Sequence, residues 1–332
     1  MPSIADTTVE MVQFVFPEHA GAPGQIHGGR MMQWITQAGT MAAARVARGT
    51  VVLGAMDDID FLQPVKVGEI ATLRAQVESV GVSSLEVGVR VWAEQVGTGR
   101  RTVTLNSHLV FVNVDEQVRP RPVPQTIEAA DEHEAMLLTA ARARREERRA
   151  RFAQKAARRA VGAVDEADLA GMTWRFESVR SVLPEDALFG NLMFPGKMLM
   201  DIDEAGGILS MRYSKGFVMT ACLDALDFYA PIFTHEVVVL RAGLNWVGTS
   251  SLEVGVKVLA ETPWTGEVRH ACTAFLTYVH LAPGPDGFQP APCRPFVPAT
   301  AVERRRWEEA QARRERRLAR VKHLKATLSE RG

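Results

Sequence analysis

Two stretches of this sequence carry the groups that could do chemistry. "HGGRMMQWITQAG" runs from His27 to Gly39 and sets an imidazole and two glycines at the start of an apolar run. "FPGKMLMDIDEAG" runs from Phe194 to Gly206 and sets Asp203 and Glu204 inside a similar run, where an unpaired carboxylate is costly to bury. A carboxylate can activate water or attack an acyl carbon, and glycine amides opening a helix can receive a developing negative charge. Neither stretch holds both parts.

The two stretches align at an offset of 167 residues, and the same offset pairs Pro17 with Pro184, Gly29 with Gly196, Asp60 with Asp227 and Pro64 with Pro231. "VGVSSLEVGVRVWAE" (Val80 to Glu94) and "VGTSSLEVGVKVLAE" (Val247 to Glu261) agree at 12 of 15 positions. The chain is an internal duplication.

Each copy reads as an opening strand (Val9 to Phe16; Trp174 to Leu183), a Gly/Pro-rich loop and a mostly apolar helix (Gly29 to Arg45; Gly196 to Arg212), followed only by strands. In "LEVGVRVWAE" Leu85, Val87, Val89 and Val91 share one face and Glu86, Gly88, Arg90 and Trp92 the other, the period of a half-buried antiparallel strand. A buried helix wrapped by an antiparallel sheet is an α+β unit. After each copy comes a segment rich in Ala, Arg and Glu, Glu134 to Ala160 and Ala301 to Ala326, matched at an offset of 169 and predicted helical. Its arginines suit a solvated or docked helix laced with Arg–Glu pairs better than a nucleic-acid surface. The expected division is a first domain at 1–122, a charged helical linker at 123–168, a second domain at 169–290 and a C-terminal charged helix at 291–332.

The chain has 332 residues, 46% hydrophobic and 23% charged, with 39 basic against 39 acidic residues. That balance gives no global pull toward nucleic acid or an anionic membrane. No signal peptide or membrane span is read, so a cytoplasmic protein is expected. Cys222, Cys272 and Cys293 lack the spacing of a zinc site or disulfide framework and are expected as reduced thiols, two of them in strands.

The order of HGG loop, buried helix, "DFLQPVKVGE" and strands around "SSLEVGV" resembles the hotdog-fold acyl-CoA thioesterases, and two copies with charged trailing helices look like their tandem members. The resemblance implies two hotdog domains forming an intrachain pseudo-dimer, with joined sheets and helices side by side. Each site would take its loop and helix N-terminus from one unit and its acid from the other. Asp203 matches the catalytic acid of that family, Gly28 with Gly29 the oxyanion donors, and His27 a loop- or substrate-orienting residue. Crosswise pairing then gives one complete site, the loop Pro17 to Gly29 with Asp203. The other joins the loop Pro184 to Gly196 with Thr36, which is no carboxylate, and with Pro195, which has no N–H. Where similar enzymes carry a loop Asn this chain has Gly21, with Gln25 the nearest amide. Glu204, Ser83 and Ser84 complete the candidate substrate contacts, the serines as a border of the pantetheine channel. His19, opposite Asp186, is expected at the surface, and Asp57, Asp60 and their counterparts Asp224 and Asp227 are read mainly as fold.

The resemblance thus implies hydrolysis of acyl-CoA at one site per chain, without metal or redox cofactor, by a homo-oligomer, a trimer of the double unit. Two alternatives stand beside it. One is a non-catalytic acyl-CoA sensor. The other is a hotdog dehydratase, whose catalytic His would precede Phe-Pro-Gly, where this chain has Met193.

Overall fold

The structure, a computed structural model, describes residues 1–21, 23–160, 169–285 and 287–329. Residues 161–168 of the expected linker, 330–332 of the C-terminal segment and Ala22 of the first loop lie outside them.

The first unit runs β1 (Val9–Phe14), α1 (Gly28–Ala47), β2 (Val51–Met56), β3 (Ile59–Asp60), β4 (Ile70–Val80), β5 (Ser84–Gln95), β6 (Arg100–Asn113) and α2 (Glu132–Ala160). The second repeats it as β7 (Arg175–Ser181), the short pair β8 (Ala187–Phe189) and β9 (Leu192–Met193), α3 (Pro195–Ser214), β10 (Phe217–Leu223), β11 (Leu226–Asp227), β12 (Val237–Val247), β13 (Ser251–Thr262), β14 (Glu267–Gly284), β15 (Gly287–Pro290) and α4 (Ala301–Ser329). This is the expected pair of α+β hotdog units.

The sheets are antiparallel and joined by exchange. One has the strand order β1-β4-β5-β6-β2-β11 and the other β3-β10-β14-β13-β12-β7, so each ends on a two-residue strand from the opposite unit. Matching bulges make the exchange possible. The registers of β2 and β10 slip at Gly54 and Ala221, and those two carbonyls accept N–H groups from Phe228 and Phe61, each at 3.0 Å. A bulge frees a ladder carbonyl and turns the strand locally. Here it gives the partner unit a place to bond.

The helices α1 and α3 pack together between the sheets. Each helix brings a glycine close against the backbone of the other: a Cβ on Gly29 would lie 2.9 Å from Met200 Cα, and one on Gly196 3.1 Å from Gln33 Cα. Met31, Met32, Ile35, Leu199 and Ile202 are fully buried around this contact, in one apolar core that runs through both units. Apolar residues at helical spacing drive the helices inward. The glycines set how close the two N-termini come.

The polar face of the "LEVGV" strands is not solvated, because α2 and α4 roof it. Glu86 and Glu253 are 3% and 0% exposed and pair with Arg144 and Arg148 of α2 and with Arg313 of α4. Buried charges need such partners. Asp57 and Asp224 face Arg148 and Arg317. The next pair crosses units: Arg151 reaches Asp227 at 2.9 Å and Arg320 reaches Asp60 at 2.6 Å. These aspartates therefore hold the roof helices down and tie the halves together.

Cys222 and Cys272 are buried free thiols in β10 and β14, and Cys293 is a half-buried free thiol after β15. Burial pushes the Cys272 thiol upward, out of the reactive range.

Candidate active site

The loop after β1 delivers His27 in an extended conformation as the N-cap of α1. An N-cap side chain satisfies an amide that the first helical turn leaves open. His27 Nδ1 does this for the Gly29 N–H at 3.1 Å. Across the unit boundary, Asp203 lies in the third turn of α3 with 1% exposure, and the same Gly29 N–H donates to its Oδ2 at 2.6 Å. His27 Nδ1 lies 3.3 Å from that oxygen. Asp203, His27 and Gly29, expected from opposite units, are in contact.

The other carboxylate oxygen has two donors that sequence reasoning did not name. Thr220 Oγ1 in β10 donates to Asp203 Oδ1 at 2.7 Å, and the Tyr278 hydroxyl in β14 donates to the same oxygen at 3.2 Å and to the Asp203 carbonyl at 3.0 Å. Burial first, and then the adjacent carboxylate, hold the Tyr278 hydroxyl well above the usual tyrosine range, so it stays a donor. Both residues were within reach of the repeat comparison. At the offset of 167, Thr220 and Tyr278 correspond to Leu53 and Phe111, two more positions where one copy is polar and the other is not.

Gly28 and Gly29 differ in what their amides can do. The Gly29 N–H is already engaged by Asp203 and His27, which corrects its expected role as an oxyanion donor. The cause is the helix N-terminus, which draws the nearest anion to itself, and that anion is Asp203. The Gly28 N–H has no acceptor among the described residues. A Cβ at Gly28 would lie 2.6 Å from Thr220 Cβ and Oγ1 and 3.0 Å from Asp203 Oδ2. A free amide thus opens beside the carboxylate, with no room for a side chain.

The remaining candidates divide. Gly21 packs on His27, where a Cβ would come 2.6 Å from the ring, so an Asn there would displace the imidazole. Gln25 has a buried Oε1 without a hydrogen-bond partner among the described residues, and its backbone carbonyl accepts the Gly21 N–H at 3.1 Å. Glu204, one step around the helix from Asp203, is exposed and is not among the groups that meet at the carboxylate. Ser83 and Ser84 are also misplaced: Ser84 lines a cavity with Gly54, Arg145 and Phe228, because its hairpin shares a sheet with Leu53 rather than Thr220. His19 is half-buried rather than facing solvent freely. Its ring is edge-on to Trp34 at 5.0 Å and its Nδ1 accepts the Phe16 N–H at 3.2 Å, the capping job that Asp186 does for Leu183 at 3.0 Å.

The symmetry-related place has Phe194 and Pro195 for His27 and Gly28, and Thr36, Leu53 and Phe111 for Asp203, Thr220 and Tyr278. Thr36 is fully buried and spends its hydroxyl on the Met32 carbonyl at 2.8 Å. Among the groups aligned with the first site, that place has no carboxylate and, at Pro195, no N–H.

Among the described residues no three His, Cys, Asp or Glu side chains form a metal-ligand group, and no helix is long and apolar enough to cross a membrane.

A family model described as the thioesterase superfamily matches residues 23–100 and again 190–266. The cytosolic acyl coenzyme A thioester hydrolase of Mus musculus is 27% identical over 92% of this chain and 82% of its own length. An uncharacterised acyl-CoA thioester hydrolase of Bacillus subtilis is 37% identical over 44% of this chain and 83% of its own length, the span of one repeat. The crystal structure of an acyl-ACP thioesterase from Bacteroides thetaiotaomicron is 10% identical, with a TM-score of 0.52 over 83% of this chain and 99% of that one. That likeness concerns the fold alone. Two matches set at the repeat offset, and a relative more than one-third identical over most of its length, show that this chain belongs to the thioesterase superfamily, as a member with two hotdog units in one polypeptide.

Proposed function

We propose that the chain hydrolyses acyl-CoA to a free fatty acid and CoA at one composite site, built from the loop and helix start of the first unit and the acid of the second. The observation that carries this reading is the contact of Asp203 with the α1 N-terminus, set against Thr36 and Pro195 at the related place. In the proposed step Asp203 takes a proton from water as the resulting hydroxide adds to the thioester carbon. The Gly28 N–H holds the oxyanion, the C–S bond breaks, and the departing thiolate takes up the proton. Thr220, Tyr278 and Gly29 keep the carboxylate fixed on both oxygens. That anchoring favours proton transfer over attack by the carboxylate itself. No metal or redox cofactor enters the step.

The names of the similar proteins support a cytoplasmic place of action. The homo-oligomer, as a trimer of the double unit, is proposed from the resemblance and from exposed apolar side chains on the edge strands, Val12 and Phe14 of β1 and Val179 of β7. The domain limits given above are proposed with it.

Thioester turnover, followed by trapping the released thiol across acyl chains from acetyl to palmitoyl, tests the reading. Asp203→Ala abolishes turnover in a folded protein and Thr36→Ala leaves it near wild type. Equal activity of the two variants overturns the one-site scheme, and affinity without thiol release makes the protein a sensor.

A further inference from the structure

The place that lost its catalytic groups did not lose its cavity. A space of about 270 Å³ opens between the units there, walled by Leu53, Val112, Leu188, Phe194, Met198 and Ile232 among others. Pro195 stands in its wall, so it occupies the mirror position of the Gly28 site. Beside it lies a second space of about 380 Å³, and the two share Gly54, Val112 and Phe228 as wall residues. This second chamber is cationic at its rim, with Arg145 and Arg149 of α2 over Ser84. Arg145 makes no ion pair among the described residues, and Arg149 reaches only the exposed Glu146 at 3.3 Å.

The two copies differ in sequence at this chamber. Its counterpart on the catalytic side has Trp246 where Ser79 stands here, and Arg314, the counterpart of Arg145, lies over the Trp246 ring at 5.1 Å. One copy therefore carries an indole under its arginine and the other a serine, with Arg145 making no ion pair among the described residues.

An apolar cavity that shares part of its wall with an arginine-rimmed chamber suits one kind of small molecule, an acyl chain joined to an anionic head. We infer that the retired site binds a long-chain acyl-CoA without hydrolysing it, the chain among Leu53, Phe194 and Met198 and the phosphates at Arg145 and Arg149. The first turns of α3 line this cavity, and Asp203 stands on the same helix. Occupancy of the retired site is thereby within reach of the working one.

Titration calorimetry of the full chain with a non-hydrolysable thioether analogue of palmitoyl-CoA, with palmitate and with CoA alone tests this. The analogue saturates at two molecules per chain. A Cβ at Gly54 meets nothing closer than 3.4 Å, so Gly54→Leu folds and plugs the junction, reducing binding to one per chain with turnover within about twofold of wild type. Arg145→Glu, on a partly exposed helix face, weakens the second site about tenfold. One molecule per chain in the wild type, with turnover intact, overturns this inference and leaves the proposed function standing. Palmitate filling the second site as tightly as the analogue, regardless of Arg145→Glu, overturns acyl-CoA as the occupant. Two-site binding without turnover counts against the proposed function alone.

Discussion

Replacing Gly28 by alanine adds one methyl group at the most crowded point of the site. Gly28 is the first residue of α1 and its φ is not in the left-handed region, so the backbone accepts alanine, and helix propensity favours the change by up to about 1 kcal/mol. Space does not accept it. The new carbon lies 2.6 Å from Thr220 Cβ and Oγ1, against about 3.5–4.0 Å for carbon atoms in contact, so something moves by close to 1 Å. Thr220 is held by β14 and by its bond to Asp203, and Asp203 by Gly29 and Tyr278. The helix start is the part that gives, and the Gly28 amide moves off the oxyanion position. A misplacement of this size costs about 10²-fold in kcat, roughly 2.7 kcal/mol of barrier, while overpacking costs about 1–3 kcal/mol of stability before the propensity gain. Turnover with kcat and KM determined separately, together with thermal unfolding, reads both quantities. Pro195→Gly, the related change at the retired site, leaves kcat unchanged. Gly28→Ala turning over within threefold of wild type, in a folded protein, would refute the assignment of this amide to the oxyanion.

Two further outcomes follow from groups around the site and under the roof helices. Tyr278→Phe keeps the ring, which Phe111 shows to fit this sheet position, and deletes one donor to a buried carboxylate; stability falls by about 1.5–3 kcal/mol and kcat about tenfold, and an unchanged kcat removes Tyr278 from the positioning of Asp203. Asp224 titrates at about 6, raised from 3.8 by burial and then by Glu253 and Asp58, against the pull of Arg317 and Arg313. Its charged form is penalised in the fold, so the stability tied to its neutral form is full below about pH 4 and lost as pH rises through about 6. Asp224→Asn lacks this titration, and its unfolding free energy relative to wild type rises by roughly 2 kcal/mol between pH 4 and pH 7. Parallel pH–stability curves for the two proteins contradict it.

The repeat made much of this molecule legible before any coordinates. A constant offset placed both helices, the strand hairpins and the unequal pairs Asp203/Thr36 and Gly28/Pro195, because differences between copies at fixed spacing point to jobs that only one copy does. Thr220 and Tyr278 are less legible because they lie in strands, where a hydroxyl at period two reads as an ordinary half-buried position. Alternation in "LEVGV" reports two faces but cannot tell water from a covering helix, so the burial of Glu86 and Glu253 under α2 and α4 came only from the structure. The Gly29 amide was misassigned for a similar reason. Spacing shows which groups share a helix face, and it does not show that an anion from the other unit has already taken the amide.

In a symmetric dimer of identical chains, a mutation is copied into both sites at once, so an acid lost from one is lost from both. The exchanged strands β3 and β11 and the cross-unit pairs Arg151–Asp227 and Arg320–Asp60 bind each half to its unlike sister within one chain. Covalent linkage keeps that sister at high effective concentration and makes the unlike pairing the default. Two unlike halves in one chain thus vary independently where identical chains cannot. Thr36 in one half can therefore stand opposite Asp203 in the other, and a change in one pocket is not copied into its sister.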